Sequence, residues 1–414
     1  MERVFAEYLI ETPYDVEQAS AVLAGEQSSG TFVSVPGETE ELKKRFAARV
    51  EDIQLLDLSD TPSIPGGSIP GKKYQKARVK VSWSIENFGY NLPVLISTLQ
   101  GNLYEITQFT GLKLMDFELP DSFATHFKGP KFGIQGSKLS CDVPADRPMI
   151  GTIIKPSIGM SIDETATLVK SLIDAGIDFI KDDELMGSAA NSPFDERVKA
   201  IMKVIRDNEQ KTGKKVMYAF NISDEIDEMQ RKYDLIKKEE GTCAMISVNS
   251  VGLSGTKKIC DQGDLVIHGH RNGWGMLNRH PLLGIEFPAY QKIQRLAGVD
   301  QLHVNGIQNK FWESDDSVVT SIQSCLKPFL GGYEVLPVVS SGQWGGQAVE
   351  TYRRTQTTDL LYMAGGGILA HPMGPKAGVN ALQQAWTGAV EGLSVEEIAQ
   401  QYPEFAASVK KFSK

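Results

Sequence analysis

The residues with the clearest capacity for chemistry form a short charged run, Lys181-Asp182-Asp183-Glu184, directly after the mostly apolar segment 177–180. Asp183 and Glu184 offer hard oxygen ligands, which Mg²⁺ prefers together with water and substrate oxygens. A cation held there could polarise a carbonyl group and stabilise an enediolate. In isolation such a run is more often a solvated turn, so its meaning depends on the element that precedes it.

Lys155 is a second candidate, because it closes another apolar segment in Gly151-Thr152-Ile153-Ile154-Lys155-Pro156. A lysine at the end of a buried strand is costly unless it is paired, and near a metal ion its pKa should fall toward that of a usable base. The alternative is a lysine whose charged end reaches out to solvent.

The elements that carry these residues repeat along the chain from Met149 onward, as short apolar segments separated by amphipathic stretches. Parallel strands buried on both faces have this pattern, and eight strand–helix repeats predict an α/β fold with a C-terminal (β/α)8 TIM barrel. One connecting helix is clear, with a capping box at Ser161 and Glu164 and an end at Gly176. The predicted strands are 150–155, 177–181, 216–220, 244–248, 265–270, 302–305, 335–341 and 360–364.

The first 140 residues follow another pattern, in which strands with alternating apolar and polar residues are mixed with helices. We expect strands at 5–10 and 77–83, helices at 15–23 and 39–49 with Thr39 as an N-cap, and a loop at 61–71. This mixture predicts a small α+β (ferredoxin-like) domain over residues 1–140, followed by a catalytic barrel over residues 141–414.

In a barrel, the C-terminal ends of the strands face the active site. Gly365-Gly366-Gly367 after the eighth predicted strand and Ser340-Ser341-Gly342 after the seventh could present backbone amides to a phosphate. Arg271 could bind a second phosphate or a carboxylate through two nitrogens, although a surface ion pair is the commoner role of an arginine. The other polar strand ends are Lys155, Lys181, Asn221, His268, His270, His303 and Asn305.

The pair His268-Gly269-His270 resembles the zinc signature of amidohydrolase-type barrels, which also use a carbamylated lysine. In those enzymes the two histidines precede the lysine along the chain, whereas here they follow Lys181. We therefore interpret the pair as one core histidine beside one functional histidine.

Composition excludes several classes of protein. The chain has 414 residues and a net charge of −9, without a long basic run, which disfavours binding to nucleic acid or to an anionic membrane. The chain has no run of about 18 apolar residues, so we expect no transmembrane helix. The N-terminus does not have the pattern of a secretion signal. The four cysteines are scattered, so we expect neither disulfides nor a zinc site and a cytoplasmic location.

The order of the strand-end motifs resembles that of ribulose-bisphosphate carboxylase (RuBisCO) large subunits and RuBisCO-like proteins. The motifs are GTIIKPSIG, GIDFIKDDE, HGHRN, the segment 303–310, SSGQ and GGG, and the likeness covers nearly the whole chain. It implies that carbon dioxide carbamylates Lys181 and that the carbamate binds Mg²⁺ together with Asp183 and Glu184.

The resemblance also implies roles for the remaining strand ends. Lys155 matches the active-site lysine, His270 and Arg271 the fifth-strand pair, and Lys310 the lysine of a mobile loop that reaches the carboxyl group of the intermediate. The further matches are His303 on the sixth strand, the substrate and phosphate contacts Ser340, Gly365 and Gly366, and Glu26, Thr31 and Asn102, which complete the neighbouring subunit's site. The resemblance thus implies a homodimer, possibly a higher oligomer, that acts on a phosphorylated small molecule.

Four departures from the carboxylases accompany these matches. Ser157 replaces a second lysine, Trp274 replaces a histidine, Phe32 replaces a tryptophan, and residues 305–309 read NGIQN instead of GTVVG. Because these changes remove a second acid or base from the site, carboxylation of ribulose bisphosphate is not expected. The chain resembles a form IV, RuBisCO-like protein.

Within that group, the methionine-salvage enolases do not have a lysine at the position of Lys310. HGHRNGWG, HVNGIQNKF and SSGQW instead resemble the branch that acts on 3-oxo-isoapionate 4-phosphate in apiose catabolism. We predict a Mg²⁺-dependent carbon–carbon lyase that decarboxylates this β-keto acid. Lys155 would be the proton donor, assisted by His270 or His303, and Lys310 and Arg271 would bind the carboxylate and the phosphate, in an order that the sequence does not assign.

Three alternatives stay open at this point. The chain could be a transcarboxylase/hydrolase on the same substrate, or a 2,3-diketo-5-methylthiopentyl-1-phosphate enolase of methionine salvage. A non-enzymatic scaffold on an old enzyme fold would have lost its ligands, yet Lys155, Lys181, Asp183, Glu184 and Lys310 are all present.

Overall fold

The computed structural model describes residues 2–29 and 35–413. Contacts within the chain divide it into two units, of which the first contains Met1–Lys128, Gly273–Ile293 and Phe329–Gly332. The second contains Gly129–Asn272, Gln294–Pro328 and Tyr333–Lys414. The predicted division after residue 140 is not tested by this partition and stays a prediction.

The secondary structure alternates between short strands and helices over most of the chain. The strands are β1 (Arg3–Thr12), β2 (Arg49–Ser59), β3 (Tyr74–Ser84), β4 (Gly111–Glu118), β5 (Met149–Ile153), β6 (Phe179–Lys181), β7 (Met217–Asn221), β8 (Cys243–Ser247), β9 (Val266–His270), β10 (Leu283–Ile285), β11 (Gln301–His303), β12 (Leu336–Val339) and β13 (Leu361–Met363).

The helices lie between these strands in the sequence and after the last of them. They are α1 (Val16–Glu26), α2 (Glu40–Phe46), α3 (Leu92–Leu99), α4 (Gly133–Leu139), α5 (Ile162–Asp174), α6 (Phe194–Thr212), α7 (Ile226–Lys238), α8 (Val248–Val251), α9 (Leu253–Cys260), α10 (Trp274–Asn278), α11 (Phe287–Ala297), α12 (Asp315–Leu326), α13 (Gly346–Thr355), α14 (Gly366–Leu369), α15 (Pro375–Val390), α16 (Val395–Gln401) and α17 (Pro403–Phe412). Short 3₁₀ helices lie at Ile85–Asn87, Gly101–Glu105 and Asp121–Thr125.

The first unit contains a five-stranded sheet in the order β10-β4-β1-β3-β2. Strand β1 pairs antiparallel with β3 and β4, and its side chains alternate between buried and partly exposed, as the sequence predicts. The predicted helix at 39–49 does begin after the cap Thr39, whose hydroxyl accepts from the Leu42 amide at 3.2 Å. It ends at Phe46, however, and Arg49 already belongs to β2.

The second unit contains a closed barrel of eight parallel strands in the order β11-β12-β13-β5-β6-β7-β8-β9. All eight predicted barrel strands are present, and no predicted end differs from the observed one by more than two residues. Residues 283–285, which lie between two barrel strands in the sequence, form β10 and pair parallel with β4 in the other sheet.

An apolar cluster fills the barrel between its strands and leaves the polar strand ends at one mouth. Its buried members from the strands include Met149, Phe179, Met217, Met245, Val266, Leu336, Leu361 and Met363. The predicted capping box of α5 is formed, with the Glu164 amide donating to Ser161 Oγ at 3.3 Å and the Ser161 amide donating to Glu164 Oε2 at 2.8 Å. All four cysteines are free and buried.

Candidate active site at the barrel mouth

The charged run after β6 divides between the core and the barrel mouth. Asp182 is completely buried and accepts hydrogen bonds from Tyr218 Oη at 2.6 Å and from the Asn221 amide at 2.9 Å. The buried Arg197 guanidinium lies 3.3 Å from the same carboxylate. Asp182 therefore fixes the backbone at the end of β6, whereas Asp183 and Glu184 remain available to the site.

Lys181 lies beside these two carboxylates and is almost completely buried. Its Nζ donates to the Asp182 carbonyl oxygen at 2.6 Å and lies 3.7 Å from Glu184 Oε2. Burial lowers the pKa of Lys181, and Glu184 opposes that effect only in part. Asn221 Nδ2 donates to the Glu184 carbonyl oxygen at 3.2 Å and so holds the backbone of this ligand candidate.

Lys155 contacts Asp183, the carboxylate that Lys181 does not contact. Its Nζ lies 2.5 Å from Asp183 Oδ2 and 2.7 Å from Ser157 Oγ. Strand β5 ends at Ile153, so Lys155 stands in the following loop, contrary to the prediction, and its side chain is 46% exposed. Burial acts to raise the pKa of Asp183, but hydrogen bonds from Lys155 and from the Leu185 amide outweigh it and lower that pKa. The serine that replaces the second carboxylase lysine is therefore a hydrogen-bond partner of Lys155.

Three histidines continue this contact chain across the barrel. His268 is completely buried, with Nδ1 2.8 Å from Gln301 Oε1 and Nε2 2.8 Å from His303 Nε2, which agrees with a core position. The His270 ring centroid lies 4.5 Å from that of His303, and His270 Nε2 lies 3.4 Å from Glu184 Oε2. Burial lowers the pKa of all three rings, that of His270 to about 3, so they are neutral at physiological pH.

The Lys310 loop, residues 304–313, follows the sixth barrel strand, β11. The Lys310 amide donates to the Ser341 carbonyl oxygen at 3.2 Å, and its side-chain carbons pass over Gly342. Its Nζ lies 5.2 Å from the ring centroid of Phe311. Ser340 Oγ lies 3.2 Å from His303 Nδ1, so this loop and the histidines meet at the end of β12.

Sequence reasoning missed Glu313, which is buried at the end of the Lys310 loop. Its Oε2 lies 3.1 Å from an Arg271 terminal nitrogen and also accepts from Asn305 Nδ2, while Oε1 accepts from Ser317 Oγ at 2.9 Å. Arg271 is thus partly neutralised by an internal carboxylate. The available signal was an acidic residue just before the Ser314 N-cap of α12, which is too common a pattern to single out.

The three glycines after β13 have different surroundings. A Cβ at Gly367 would lie 2.6 Å from the Gln343 carbonyl oxygen, so Gly367 is required for packing. A Cβ at Gly366 would meet no atom within 4 Å, and one at Gly365 only Ile153 Cδ1 at 3.8 Å. The space over Gly365 and Gly366 is therefore open, and the first amides of α14 have no carbonyl partner within the helix.

Two of the residues expected to serve a neighbouring subunit lie close together in the first unit. Glu26 ends α1, and Asn102 lies in the 3₁₀ helix Gly101–Glu105. With its amide oriented to satisfy both neighbours, Gln27 donates to the Ser97 carbonyl and accepts from the Asn102 amide, both at 3.1 Å. Thr31 and Phe32, the other sequence predictions in this region, lie outside the described residues.

In the described parts of the chain, no three His, Cys, Asp or Glu side chains surround a common point as metal ligands would. Asp183 and Glu184 therefore provide two acidic groups at the mouth, beside the amine of Lys181. Within residues 2–29 and 35–413, no helix is long and apolar enough to cross a membrane.

Comparison with known proteins agrees with this architecture. The family model for the ribulose bisphosphate carboxylase large-chain catalytic domain matches residues 138–412 of the sequence. The family model for the large-chain N-terminal domain matches residues 2–123. A 3-oxo-isoapionate-4-phosphate transcarboxylase/hydrolase of Xanthobacter autotrophicus is 49% identical over 97% of this chain and 97% of its own. A 3-oxo-isoapionate-4-phosphate decarboxylase of Rhizobium etli is 49% identical over 98% of both chains.

Solved structures show the same fold over the whole length. A rubisco-like protein from Burkholderia fungorum has a TM-score of 0.93 and 42% identity, with 100% of both chains covered. A dimeric archaeal Rubisco from Hyperthermus butylicus has a TM-score of 0.86 and 26% identity over 99% of this chain and 96% of that one. The chain belongs to the ribulose bisphosphate carboxylase large-chain family.

Proposed function

We propose that this family member decarboxylates 3-oxo-isoapionate 4-phosphate. The observation that carries the proposal is a set of contacts across the barrel mouth, in which the consecutive residues Asp183 and Glu184 each bind a different lysine. Its links join Lys155 to Asp183, Lys181 to Glu184, Glu184 to His270 and His270 to His303. A relative that shares 49% of its residues with this chain is named for this substrate and reaction.

The donor groups at the mouth suit Mg²⁺ if Lys181 is carbamylated. Asp183 and Glu184 supply two carboxylates, and the described residues contribute no third acidic ligand there. Burial lowers the pKa of Lys181 and so favours the neutral amine that adds carbon dioxide, and the carbamate would be the third oxygen ligand. When bound, Mg²⁺ would polarise the ketone of the substrate and stabilise negative charge on its oxygen.

The reaction breaks the bond between the carboxylate carbon and the neighbouring carbon, and carbon dioxide leaves. The electron pair stays on the substrate as an enediolate, whose carbon must then receive a proton. We assign that proton to Lys155, because its ammonium group is held at the mouth by Asp183 and Ser157 and its side chain is 46% exposed. A neutral His270 or His303 can relay a proton by accepting one at its free ring nitrogen while its other ring nitrogen releases one.

The two charged ends of the substrate need separate partners. We assign the carboxylate to Lys310, whose loop lies over the end of β12, and the phosphate to the amides of Gly365 and Gly366, over which the space is open. Arg271 is already paired with the buried Glu313, so we do not assign it to either end of the substrate. Its remaining positive charge would attract the anionic substrate to the site.

The test is a carbon dioxide release assay with the purified chain, Mg²⁺, bicarbonate and 3-oxo-isoapionate 4-phosphate. We expect turnover that depends on Mg²⁺ and on Lys181. Failure on this substrate, combined with turnover of 2,3-diketo-5-methylthiopentyl 1-phosphate, would replace the proposal by the methionine-salvage enolase.

A transcarboxylase/hydrolase is the second candidate, since the Xanthobacter autotrophicus relative of that name is also 49% identical. The two reactions differ in their products. Decarboxylation gives one ketose phosphate and carbon dioxide, whereas hydrolysis divides the substrate into two acids. Mass spectrometry of the products in H₂¹⁸O separates them, because only hydrolysis incorporates solvent oxygen into a new carboxylate.

We also propose a homodimer in which Glu26 and Asn102 complete the partner's site. The dimeric archaeal Rubisco and the proximity of these two residues support it. The test is complementation between Glu26→Gln and Lys181→Ala, which we expect to be inactive separately. A mixed dimer would contain one intact site and regain activity, whereas sites built from a single chain would stay inactive.

A further inference from the structure

The backbone of the Lys310 loop is bound by two glutamines from the segment that follows β12. We infer that Gln343 and Gln347 are positioning residues, which hold Lys310 over the barrel mouth before substrate arrives. The inference rests on the proposed role of Lys310 as the carboxylate-binding lysine. If Lys310 is held there in advance, the site favours substrates whose carboxylate reaches Lys310 at the barrel mouth.

Gln343 uses both ends of its amide. It is 2% exposed, its Nε2 donates to the Ile307 carbonyl oxygen at 3.1 Å, and its Oε1 lies 3.1 Å from Tyr362 Oη. The hydroxyl of this tyrosine, on β13, also lies 3.0 Å from the Trp344 carbonyl oxygen, so its one proton is shared between two acceptors. Ile307 itself is completely buried, so the carbonyl has little access to water as an alternative donor.

Gly306 shows that the loop and Gln343 are fitted to each other. A Cβ at Gly306 would lie 2.1 Å from Gln343 Cδ and 2.3 Å from its Nε2. The φ of Gly306 is not positive, so the backbone conformation does not itself require glycine. The glycine is needed because the amide of Gln343 packs against it.

Gln347, at the start of α13, binds the next carbonyl along the loop. Its Nε2 donates to the Gln308 carbonyl oxygen at 3.1 Å, and its Oε1 accepts from the Trp344 amide at 2.8 Å. Gln308 has a φ of 50°, and its own amide donates to Asp315 Oδ1 at 2.7 Å. Two consecutive carbonyls just before Lys310 are thus tied to the barrel.

The test compares loop opening in Gln343→Met with that in a matched control. Gln383 Nε2 donates to the Gly176 carbonyl at 3.2 Å, at the opposite end of the barrel, so Gln383→Met also removes one glutamine–carbonyl hydrogen bond. Amide hydrogen exchange of a peptide covering residues 306–312 should rise about fivefold in Gln343→Met and about 25-fold when Gln347→Met is added. The control should match the wild type in this peptide.

Gly306→Ala provides a second variant that leaves both glutamines in the chain. Its methyl group displaces only the flexible end of Gln343, so we expect the same rise in exchange with a fall of only about 1 °C in the thermal unfolding temperature. Exchange equal to that of the wild type in both Gln343→Met and Gly306→Ala would overturn the inference.

Kinetics distinguish positioning from packing. KM should rise only by the factor by which the closed fraction of the loop, obtained from the exchange rates, falls, at nearly unchanged kcat, in the Gln343→Met/Gln347→Met double variant but not in Gln383→Met. A KM that departs from that factor would refute the positioning role. If the wild-type chain does not turn over the substrate at all, the proposed function fails, while the exchange experiment still decides whether the glutamines hold the loop.

Discussion

Replacing Asp300 by alanine should destabilise the barrel in a way that depends on pH. This residue precedes β11 and is 1% exposed. Its Oδ1 accepts from the Phe132 amide at 2.6 Å and from the Gly133 amide at 3.0 Å, and its Oδ2 accepts from the Ile267 amide at 2.8 Å. One carboxylate thus joins the beginning of α4 to two neighbouring strands.

The magnitude follows from two opposing effects. Asp300→Ala leaves three backbone amides without their acceptor, at about 2 kcal/mol each. Burial raises the pKa of Asp300 to about 6 from 3.8, against the amides that lower it, so the ionised form costs on the order of 3 kcal/mol in the folded state. The variant removes that cost as well, which leaves a net loss at pH 7 of about 3 kcal/mol in the free energy of unfolding.

The sign of the pH dependence follows from the raised pKa of Asp300. The folded state binds a proton more tightly than the unfolded state, so the favourable contribution is complete below pH 3.8 and is lost as the pH rises through about 6. The free energy of unfolding of the wild type therefore rises relative to that of the variant as the pH falls. We expect the loss caused by Asp300→Ala to grow by about 2 kcal/mol between pH 7 and pH 4.5.

The assay is urea unfolding followed by tryptophan fluorescence, with both proteins measured at each pH. Asp174→Asn is the control, because this aspartate is 55% exposed and pairs with Lys170 on the same helix. That change should alter the unfolding free energy by less than about 0.5 kcal/mol. A loss below about 1 kcal/mol at pH 7 for Asp300→Ala, or a loss that shrinks toward acid pH, would refute the reasoning.

Five further variants address the site. Lys155→Met should lower kcat for carbon dioxide release by about 10²–10⁴-fold because it removes the proposed proton donor. Ser157→Ala should lower it by less than about tenfold, and equal losses would argue against the assignment. Lys181→Ala should abolish the rise in unfolding temperature that Mg²⁺ and bicarbonate together give the wild type, and a retained rise would contradict a carbamate ligand. Gly367→Ala should cost about 1–3 kcal/mol of stability, measured by urea unfolding, because its Cβ meets backbone. Gly366→Ala should be stable yet raise KM for the phosphorylated substrate, and an unchanged KM would move the phosphate elsewhere.

The barrel could be predicted because its signal is local. Each buried parallel strand is a short apolar run, and the capping box of α5 depends on two residues three positions apart. The error at Lys155 has a physical cause: the apolar residues continue to Ile154, whereas strand pairing ends at Ile153, and the sequence does not show where hydrogen bonding stops.

Features that depend on distant contacts could not be predicted. Strand β10 has three residues and is a strand because it pairs with β4, about 170 positions earlier in the sequence. Strand β2 is largely exposed, so it does not have the alternation of apolar and polar residues that predicts β1. The burial of Glu313 depends on Arg271 and Asn305, which the fold brings to it.

Closure of the barrel also constrains how the chain can be synthesised and shortened. The last strand, β13, pairs with the first, β5, so that Leu361 lies opposite Met149. A nascent chain that has not yet reached Met363 would expose two open strand edges and an uncovered apolar interior. Such an intermediate invites pairing with other chains until β13 arrives. We therefore expect that deletion of the C-terminal segment from Leu361 yields an aggregating protein and not a smaller stable domain.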